Sequence, residues 1–291
     1  MINIIKYSLF ESKKYKKYNN MLKNLGVMDD KGDINLKDMT EKINQFLSKD
    51  GNKDKFMKDY DDKISPDVKV KNEKFKAIDL KPSQTEIFLD HVLSRLVVND
   101  GDRKQILKGG FKDHDILISS DGHIIDGHHR WLCAFILNPE CELDCTEIEI
   151  PIEYALPVIN AIIEASEKET DTLKDTYKIN IFDAMDWKKE KLFKKMNSII
   201  KKAIKSGVGI GEEKKKSNKY PKTIEGLDNI STDVTKPFYK KLRKKLKLQN
   251  HPLKHIRENM KQIPKPKELF SDRKDMPQLK KKDAKNFYDT Y

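Results

Sequence analysis

Five consecutive residues near the middle of the chain combine side chains suited to phosphate chemistry. They are Asp126, Gly127, His128, His129 and Arg130, and an apolar run stands on each side of them. The guanidinium of arginine forms paired hydrogen bonds with phosphate oxygens. A carboxylate is a common protein ligand of Mg²⁺, and a histidine titrates at about pH 6.5. The string therefore predicts phosphate binding, metal binding or proton transfer.

The string is expected at the junction of a strand and a helix. Asp121-Gly122 separates the apolar runs 115–118 and 123–125, a pattern that predicts a β-hairpin. The second run leads directly into the string, and residues 131–137 are compatible with a helix. Backbone N–H groups and the helix dipole attract anions at such a junction, and Gly127 permits close approach of a ligand. Asp126 has an alternative role as the N-cap of that helix.

With its leading strand, the string resembles the signature of the ParB/sulfiredoxin superfamily. The closest pattern is the DGHHR string of the nucleotide-dependent free-serine kinases, and the resemblance covers roughly residues 75–165. Sulfiredoxins have a catalytic cysteine at the position of His128. Partitioning ParB proteins, which hydrolyse CTP, carry a G-E-R-R type motif. In this chain, His128 replaces the Glu of that motif and His129 replaces its first Arg.

The resemblance implies an α+β fold: a ParB/sulfiredoxin-like core, with a small mixed sheet and helices, flanked by helical, Lys-rich extensions. For a phosphate site, Arg130 and the backbone of Gly127 and His128 are expected to contact phosphate. His128 and His129 are expected to bond phosphate oxygens, and one of them to move a proton. Asp126 is expected to hold Mg²⁺ or to orient a substrate hydroxyl.

A glutamate early in the first helix is the catalytic base of the serine kinases. Glu86 is the position that matches best, with one additional residue between Pro82 and Glu86. An alternative is equally open, because Ser83 and Glu86 also have the spacing of a capping box at the start of a helix. His91 and His114 are expected to be ordinary polar residues, and Trp131 is expected in the core or in a pocket wall.

These observations predict a nucleotide-dependent phosphotransferase that uses ATP or ADP with Mg²⁺. Its acceptor is expected to be a small hydroxyl compound, or a hydroxyl of a nucleotide or protein. One alternative is a ParB-like DNA-associated protein that uses nucleotide binding as a switch. Another is a metal-dependent nuclease with a divalent ion on Asp126, His128 and His129, although two-metal hydrolysis normally requires more acidic ligands. A third is a viral internal or accessory protein that retains the fold without catalysis.

The charge of the chain favours contact with polyanions. Its 291 residues carry a formal net charge of +12. The strongest candidate for a nucleic-acid contact lies within residues 238–248 and comprises Lys240, Lys241, Arg243, Lys244 and Lys245. The alternatives are an amphipathic surface helix, or a lysine-rich composition that reflects an AT-biased genome.

The cysteines and apolar runs favour a cytoplasmic protein, in the host cytoplasm or the virion if the chain is viral. Cys133, Cys141 and Cys145 lack the spacing of a zinc site, and Cys133 is expected to be buried. No apolar run is long enough for a bilayer, so no membrane partner is expected. Leu9-Phe10-Glu11 resembles the Leu-x-Glu site cleaved by T-even-type phage head-maturation proteases, and a packed helix is the alternative.

Composition divides the chain into three parts. These are a helical extension and linker (1–72), a catalytic or nucleotide-binding domain (73–168), and a basic, mostly helical region with an extended tail (169–291). The expected elements are a helix over 39–47, a solvated linker around 59–62, a strand over 75–80, a helix from the Ser83 cap, a strand over 146–154 with Pro151 at a sheet edge, and a helix over 155–166.

Overall fold

A mixed five-stranded sheet is the centre of an α+β structure. The computed structural model describes residues 13–98, 100–166, 179–188, 190–192, 194–195, 198, 252–267 and 270. The strands are β1 (Val70–Lys76), β2 (Lys81–Pro82), β3 (Gly110–Ser119), β4 (His123–Asp126) and β5 (Glu142–Ile148). Their order is β1-β5-β3-β4-β2. The β1/β5 and β3/β4 pairs are antiparallel, and the β3/β5 and β2/β4 pairs are parallel.

The predicted hairpin is confirmed. β3 and β4 pair across the Asp121-Gly122 turn, with Ile118 opposite Ile124 and Leu117 opposite Asp126. Gly122 has a φ of 76°, a conformation that glycine adopts without steric cost. The helix that follows the hairpin is also confirmed, so the polar string lies at a junction of strand and helix, as predicted.

Alternation along the strands gives the sheet two buried faces. Ile116 and Ile118 of β3 pack into one hydrophobic cluster, whereas Leu117 between them packs into the other. This is the period of two expected of a strand. Ile124 and Ile125 of β4 divide between the two clusters in the same way. The sheet therefore requires a helical layer on each side.

The first layer carries the helix that follows the polar string. Its helices are α4 (Leu89–Val98), α5 (Asp100–Leu107), α6 (His128–Leu137), α8 (Ile181–Ala184) and α9 (Pro252–Met260). Trp131 of α6 is fully buried, and its Nε1 donates to the carbonyl of Ala77 at 2.8 Å. The expectation that Trp131 lies in the core is thus confirmed, as is the burial of Cys133.

The second layer contains the N-terminal helices. They are α1 (Lys13–Asn24), α2 (Met39–Leu47) and α3 (Asn52–Lys63), which pack with α7 (Ile152–Ala165). Met39 and Ile43 of α2 are fully buried, and the predicted helix over 39–47 is confirmed. The division of the chain at residue 72 stays a prediction, but the helices before it share a hydrophobic cluster with the sheet and α7.

The segment around Asp59 to Asp62 is not a linker, contrary to the prediction. It belongs to α3, which buries Phe56 and Tyr60. These two aromatic residues are four positions apart, so they lie on one face of the helix, and that face packs into the second hydrophobic cluster. The charged residues between them lie on the other faces of the helix. Because charged residues are so numerous in this segment, its sequence resembles that of a solvated linker.

Ser83 does not begin a helix, so the predicted capping box with Glu86 is wrong. α4 begins at Leu89, and both residues precede it. The hydroxyl of Ser83 donates instead to the carbonyl of Ile124 in β4. Ser83 thus bonds to a residue distant in sequence and not to the start of a helix. The spacing of Ser83 and Glu86 cannot distinguish these two arrangements.

Two strands differ in their bounds from the prediction. β1 ends at Lys76, and a 3₁₀ turn occupies Ala77–Asp79. β5 ends at Ile148 and lies between β1 and β3, so it is not an edge strand. Pro151 is the N-cap residue of α7, a position that tolerates proline because no helical N–H is required there. Within the described ranges, no helix has the length and apolar character needed to cross a membrane.

Candidate functional site

Gly127 forms the sharp connection between β4 and α6. It is the N-cap residue of α6 and has a φ of 94°. A Cβ atom added to it would lie 3.1 Å from Cγ1 of Ile116, and 3.2 Å from both Nε and Nη2 of Arg130. Backbone conformation and space therefore both require glycine at this position. The guanidinium of Arg130 consequently lies against the Gly127 backbone at the start of α6.

Asp126 and Arg130 form an ion pair at this junction. Nη2 of Arg130 donates to Oδ2 of Asp126 at 2.8 Å, and the two side chains are 28% and 42% exposed respectively. The alternative in which Asp126 is the N-cap is wrong, because Gly127 occupies that position. The pair keeps a cation and a carboxylate together at the surface beside the positive end of α6.

His128 is buried and faces the loop before α4. Its Nε2 accepts a hydrogen bond from the backbone N–H of Ser83 at 3.1 Å and lies 3.3 Å from the Ser83 hydroxyl oxygen. Because Nε2 accepts from a backbone N–H, it carries no proton in this arrangement, and the ring is the neutral Nδ1–H tautomer. His128 therefore joins the first residue of α6 to the loop.

His129 makes the corresponding bond at the other end of the same loop. Its Nε2 accepts from the backbone N–H of Phe88 at 3.0 Å, and its ring stacks on the Phe88 ring. The ring of His91 is also adjacent, with its centroid 4.7 Å from that of His129. His91 was expected to be an ordinary polar residue, and no local pattern in the sequence signals its contact with His129.

Asn180 and Ile181 make a third set of contacts with the loop. Nδ2 of Asn180 donates to the carbonyl of Thr85 at 2.8 Å, and Oδ1 of Asn180 accepts from the N–H of Ile87 at 3.3 Å. The N–H of Ile181 also donates to the carbonyl of Ile87 at 2.8 Å. Asn180 was not among the predicted site residues, since it lies more than ninety residues along the chain from these partners.

These bonds position Glu86. It lies between Thr85 and Ile87, both bonded to Asn180, and within the segment whose ends bond to His128 and His129. Its side chain is partly buried. The structure thus brings the loop that carries Glu86 to the first turn of α6, as a common site requires. The catalytic roles of Glu86, His128 and His129 stay predictions.

A hydrogen-bonded network around Asp121 supports the turn of the hairpin. Asp121 accepts hydrogen bonds from the Ser119 hydroxyl at 2.6 Å and from the backbone N–H of Ile152 at 3.0 Å, and its Oδ2 lies 2.8 Å from Nδ1 of His123. Burial alone would raise the pKa of Asp121, but the bonds from His123 and Ser119 outweigh it and lower the pKa well below its usual range. Asp121 thereby joins the hairpin to the start of α7.

The cysteines are not candidates for nucleophilic chemistry. Burial raises the pKa of Cys133 to about 12 and that of Cys141 to about 11. A thiol is reactive as its thiolate, which is scarce at neutral pH for both groups. All three cysteines are buried thiols, and none of them belongs to a disulfide in the described part of the chain.

Several predicted residues lie outside the described part of the chain. They are the basic residues Lys240, Lys241, Arg243, Lys244 and Lys245, together with Glu11 of the cleavage-site resemblance. Among the residues that the structure describes, no group of three or more His, Cys, Asp or Glu side chains is arranged to hold a metal ion. Mg²⁺ is commonly held by one or two carboxylates, with water and substrate phosphate as the other ligands. The partly exposed Asp126 fits that kind of site.

Comparison of the chain with models of known protein families, with curated proteins and with solved structures finds no match.

Proposed function

We propose that the chain is a nucleotide-dependent phosphotransferase of the ParB/sulfiredoxin-like kind, with its phosphate site at Asp126 to Arg130. The observation that supports this proposal best is the position of the loop that carries Glu86. The loop is joined to the first two residues of α6 by the bonds of Ser83 to His128 and of Phe88 to His129. These bonds hold the loop with the candidate base next to the candidate phosphate site.

Arg130 is the residue assigned to the transferred phosphate. Its guanidinium lies over Gly127, and a phosphate placed at the start of α6 would meet this cation together with the positive end of the helix dipole. In the structure the guanidinium bonds to Asp126. A bound phosphate would compete with that carboxylate for Arg130.

Asp126 is assigned to Mg²⁺, which would neutralise negative charge on the phosphates of ATP or ADP. A carboxylate released from Arg130 is suited to this role, because it is at the surface and partly exposed. On binding of nucleotide and metal, the ion pair between Asp126 and Arg130 would be replaced by two others. Arg130 would pair with phosphate, and Asp126 would pair with Mg²⁺.

Glu86 is assigned the role of general base. Its carboxylate would accept the proton of the acceptor hydroxyl while the hydroxyl oxygen forms a bond to phosphorus, and the bond between phosphorus and the leaving nucleotide breaks. A base must be held in place to act efficiently, and the bonds to Asn180 hold the backbone on both sides of Glu86. His128 and His129 are assigned to positioning, because the Nε2 atom of each bonds to the loop.

The assignment is tested by replacing Glu86 with Gln. Glu86→Gln is expected to lower phosphate transfer from ATP to L-serine, the first acceptor to test, by at least about 100-fold, the scale of general-base catalysis. ATP affinity is expected to change less than about threefold, because Glu86 is not assigned to the nucleotide. The measurements are a radiolabel transfer assay and calorimetric titration with Mg²⁺ present.

The matched control is Glu73→Gln, which removes an exposed carboxylate from the edge strand β1. Transfer by this variant should equal that of the unmodified chain. If Glu86→Gln retained full transfer, Glu86 would not be the base.

A further inference from the structure

A second candidate binding site lies in the layer of N-terminal helices. Residues of α1, α2 and α3 line a cleft of about 210 Å³, here named the α1–α3 cleft. These helices pack in the cluster on the second face of the sheet, whereas α6 and its N-terminus belong to the first layer. The cleft is therefore separate from the proposed phosphate site.

Apolar side chains form the inner surface of the α1–α3 cleft. Met21 comes from α1, Phe46 from α2, Phe56 from α3, and Ile64 follows α3. Met21, Phe56 and Ile64 are at most 6% exposed, and Phe46 is partly exposed. This surface would gain from contact with an apolar ligand, because such contact removes apolar area from water.

Positive charge dominates the rim of the cleft. Lys17, Lys55 and Lys63 line it, and Asp59 is the carboxylate that lines it with them. Asp59 forms an ion pair with Lys63, its neighbour one turn away on α3. The ammonium group of Lys55 has no ion-pair partner within the described residues. Among the described residues that line the cleft, three cations and one carboxylate give the rim a net positive charge above an apolar interior.

We propose that the α1–α3 cleft binds a small carboxylate with an apolar body. The apolar part would lie on Met21, Phe46 and Phe56, and the carboxylate would face the ammonium group of Lys55. A neutral molecule would gain only the apolar contact, and a cationic one would be repelled by the rim. The amides of Asn20 and Asn24 also line the cleft and supply further hydrogen-bond donors at its edge.

Three probes of equal chain length test this proposal: octanoate, 1-octanol and octylamine. The full chain is titrated with each, and the backbone amide shifts are followed by NMR. Octanoate should give saturable shifts concentrated in α1 and α3, octanol should bind at least about threefold more weakly, and octylamine should give no saturable shifts. Equal binding of octanoate and octanol would overturn the proposal, as would shifts confined to other elements.

Variants assign the effect to particular side chains. Lys55→Gln should weaken octanoate binding about two- to fivefold, the range for one exposed ion pair, and Asn20→Trp should abolish it by filling the cleft. Lys58→Gln is the matched control, since Lys58 is an exposed residue of α3 that does not line the cleft. An equal loss in Lys55→Gln and Lys58→Gln would contradict the assignment.

The apolar residues within positions 1–12 are an alternative occupant, since this segment directly precedes α1. The test distinguishes the two occupants. If octanoate failed to bind the full chain but bound a chain lacking residues 1–12, the cleft would belong to that segment, and the proposal would be overturned. Absence of binding in both chains would overturn it equally.

Discussion

At the scale of single residues, the site depends on Gly127 and Arg130. Gly127 allows the chain to turn from β4 into α6 with a φ of 94°, and it leaves the space in which the Arg130 guanidinium lies. The sequence string indicated that this glycine permits close approach to the backbone. In the structure, the group that approaches the Gly127 backbone is the guanidinium of Arg130, which is paired with Asp126.

Gly127→Ala is expected to destabilise the protein by about 1–3 kcal/mol, because alanine is strained at a positive φ and its Cβ would press on Ile116 and Arg130. Urea denaturation measures this change in the free energy of unfolding. Gly110→Ala is the control, since a Cβ there would meet nothing within 4 Å. A loss below 0.5 kcal/mol for Gly127→Ala, roughly the effect of a neutral surface substitution, would contradict the account.

At the scale of elements, local signals predicted the hairpin and α6 but not the loop before α4. The Asp121-Gly122 turn and the apolar periodicity after Gly127 act between near neighbours, and such features can be recognised in a sequence. Ser83 also carries a local signal, but its partners are Ile124 and His128, more than forty residues away. Tertiary bonds of this kind leave no spacing pattern.

The same limit explains the missed residues of the site. Asn180 and His91 reach the loop and His129 only because α4 and the segment before α8 pack beside α6. Pro151 shows a different kind of error, in which a local signal has two meanings. Proline is compatible with both an edge strand and the start of a helix; an edge strand was predicted, and the structure has the start of α7. The residue types of the string suggested a chemistry, which stays a prediction, but they did not predict the partners of its side chains.

Asp121 joins two elements, the hairpin turn and α7, and its contribution to stability can be tested. Its pKa is lowered in the folded protein, so its contribution to stability is present above its unfolded pKa of about 4 and is lost as the pH falls below that value. Asp121→Asn should therefore lower the free energy of unfolding at pH 7. The difference from the unmodified chain should shrink at pH 3, where the aspartate is largely protonated in the unfolded state.

Urea denaturation at the two pH values measures this difference. Asp50→Asn, which alters an exposed carboxylate between α2 and α3, should show no comparable difference at either pH. An effect of Asp121→Asn that is equal at pH 7 and pH 3 would show that the charge of Asp121 is not what stabilises the turn.

At the scale of the whole molecule, two helical layers enclose one sheet. The N-terminal helices bury apolar residues against α7 and the second face of the sheet, so they are part of the packed structure. Their burial also holds β3 and β4 in place through Leu117 and Ile125, which belong to the same cluster. The layer thus supports the strand from which the polar string emerges.

Ile43→Ala in α2 tests this support. Ile43 is fully buried, and its truncation should lower the free energy of unfolding by about 2–5 kcal/mol, as is usual for a core cavity. Asn44→Ala, at the exposed neighbouring position, should change it by less than about 0.5 kcal/mol. If the two variants were equally stable in denaturant titrations, α2 would not be part of the core.

The central claim is that Arg130 binds the phosphate of a nucleotide at the start of α6. The most direct measurement is calorimetric titration of the full chain with ATP, ADP and CTP, each with Mg²⁺, repeated on Arg130→Ala and on Arg257→Ala as a control arginine of α9. We expect saturable binding of ATP or ADP. Arg130→Ala should weaken this binding at least about tenfold, the loss expected for a charge-assisted bond, whereas Arg257→Ala should leave it unchanged. Absence of nucleotide binding, or binding that is insensitive to Arg130, would contradict the central claim.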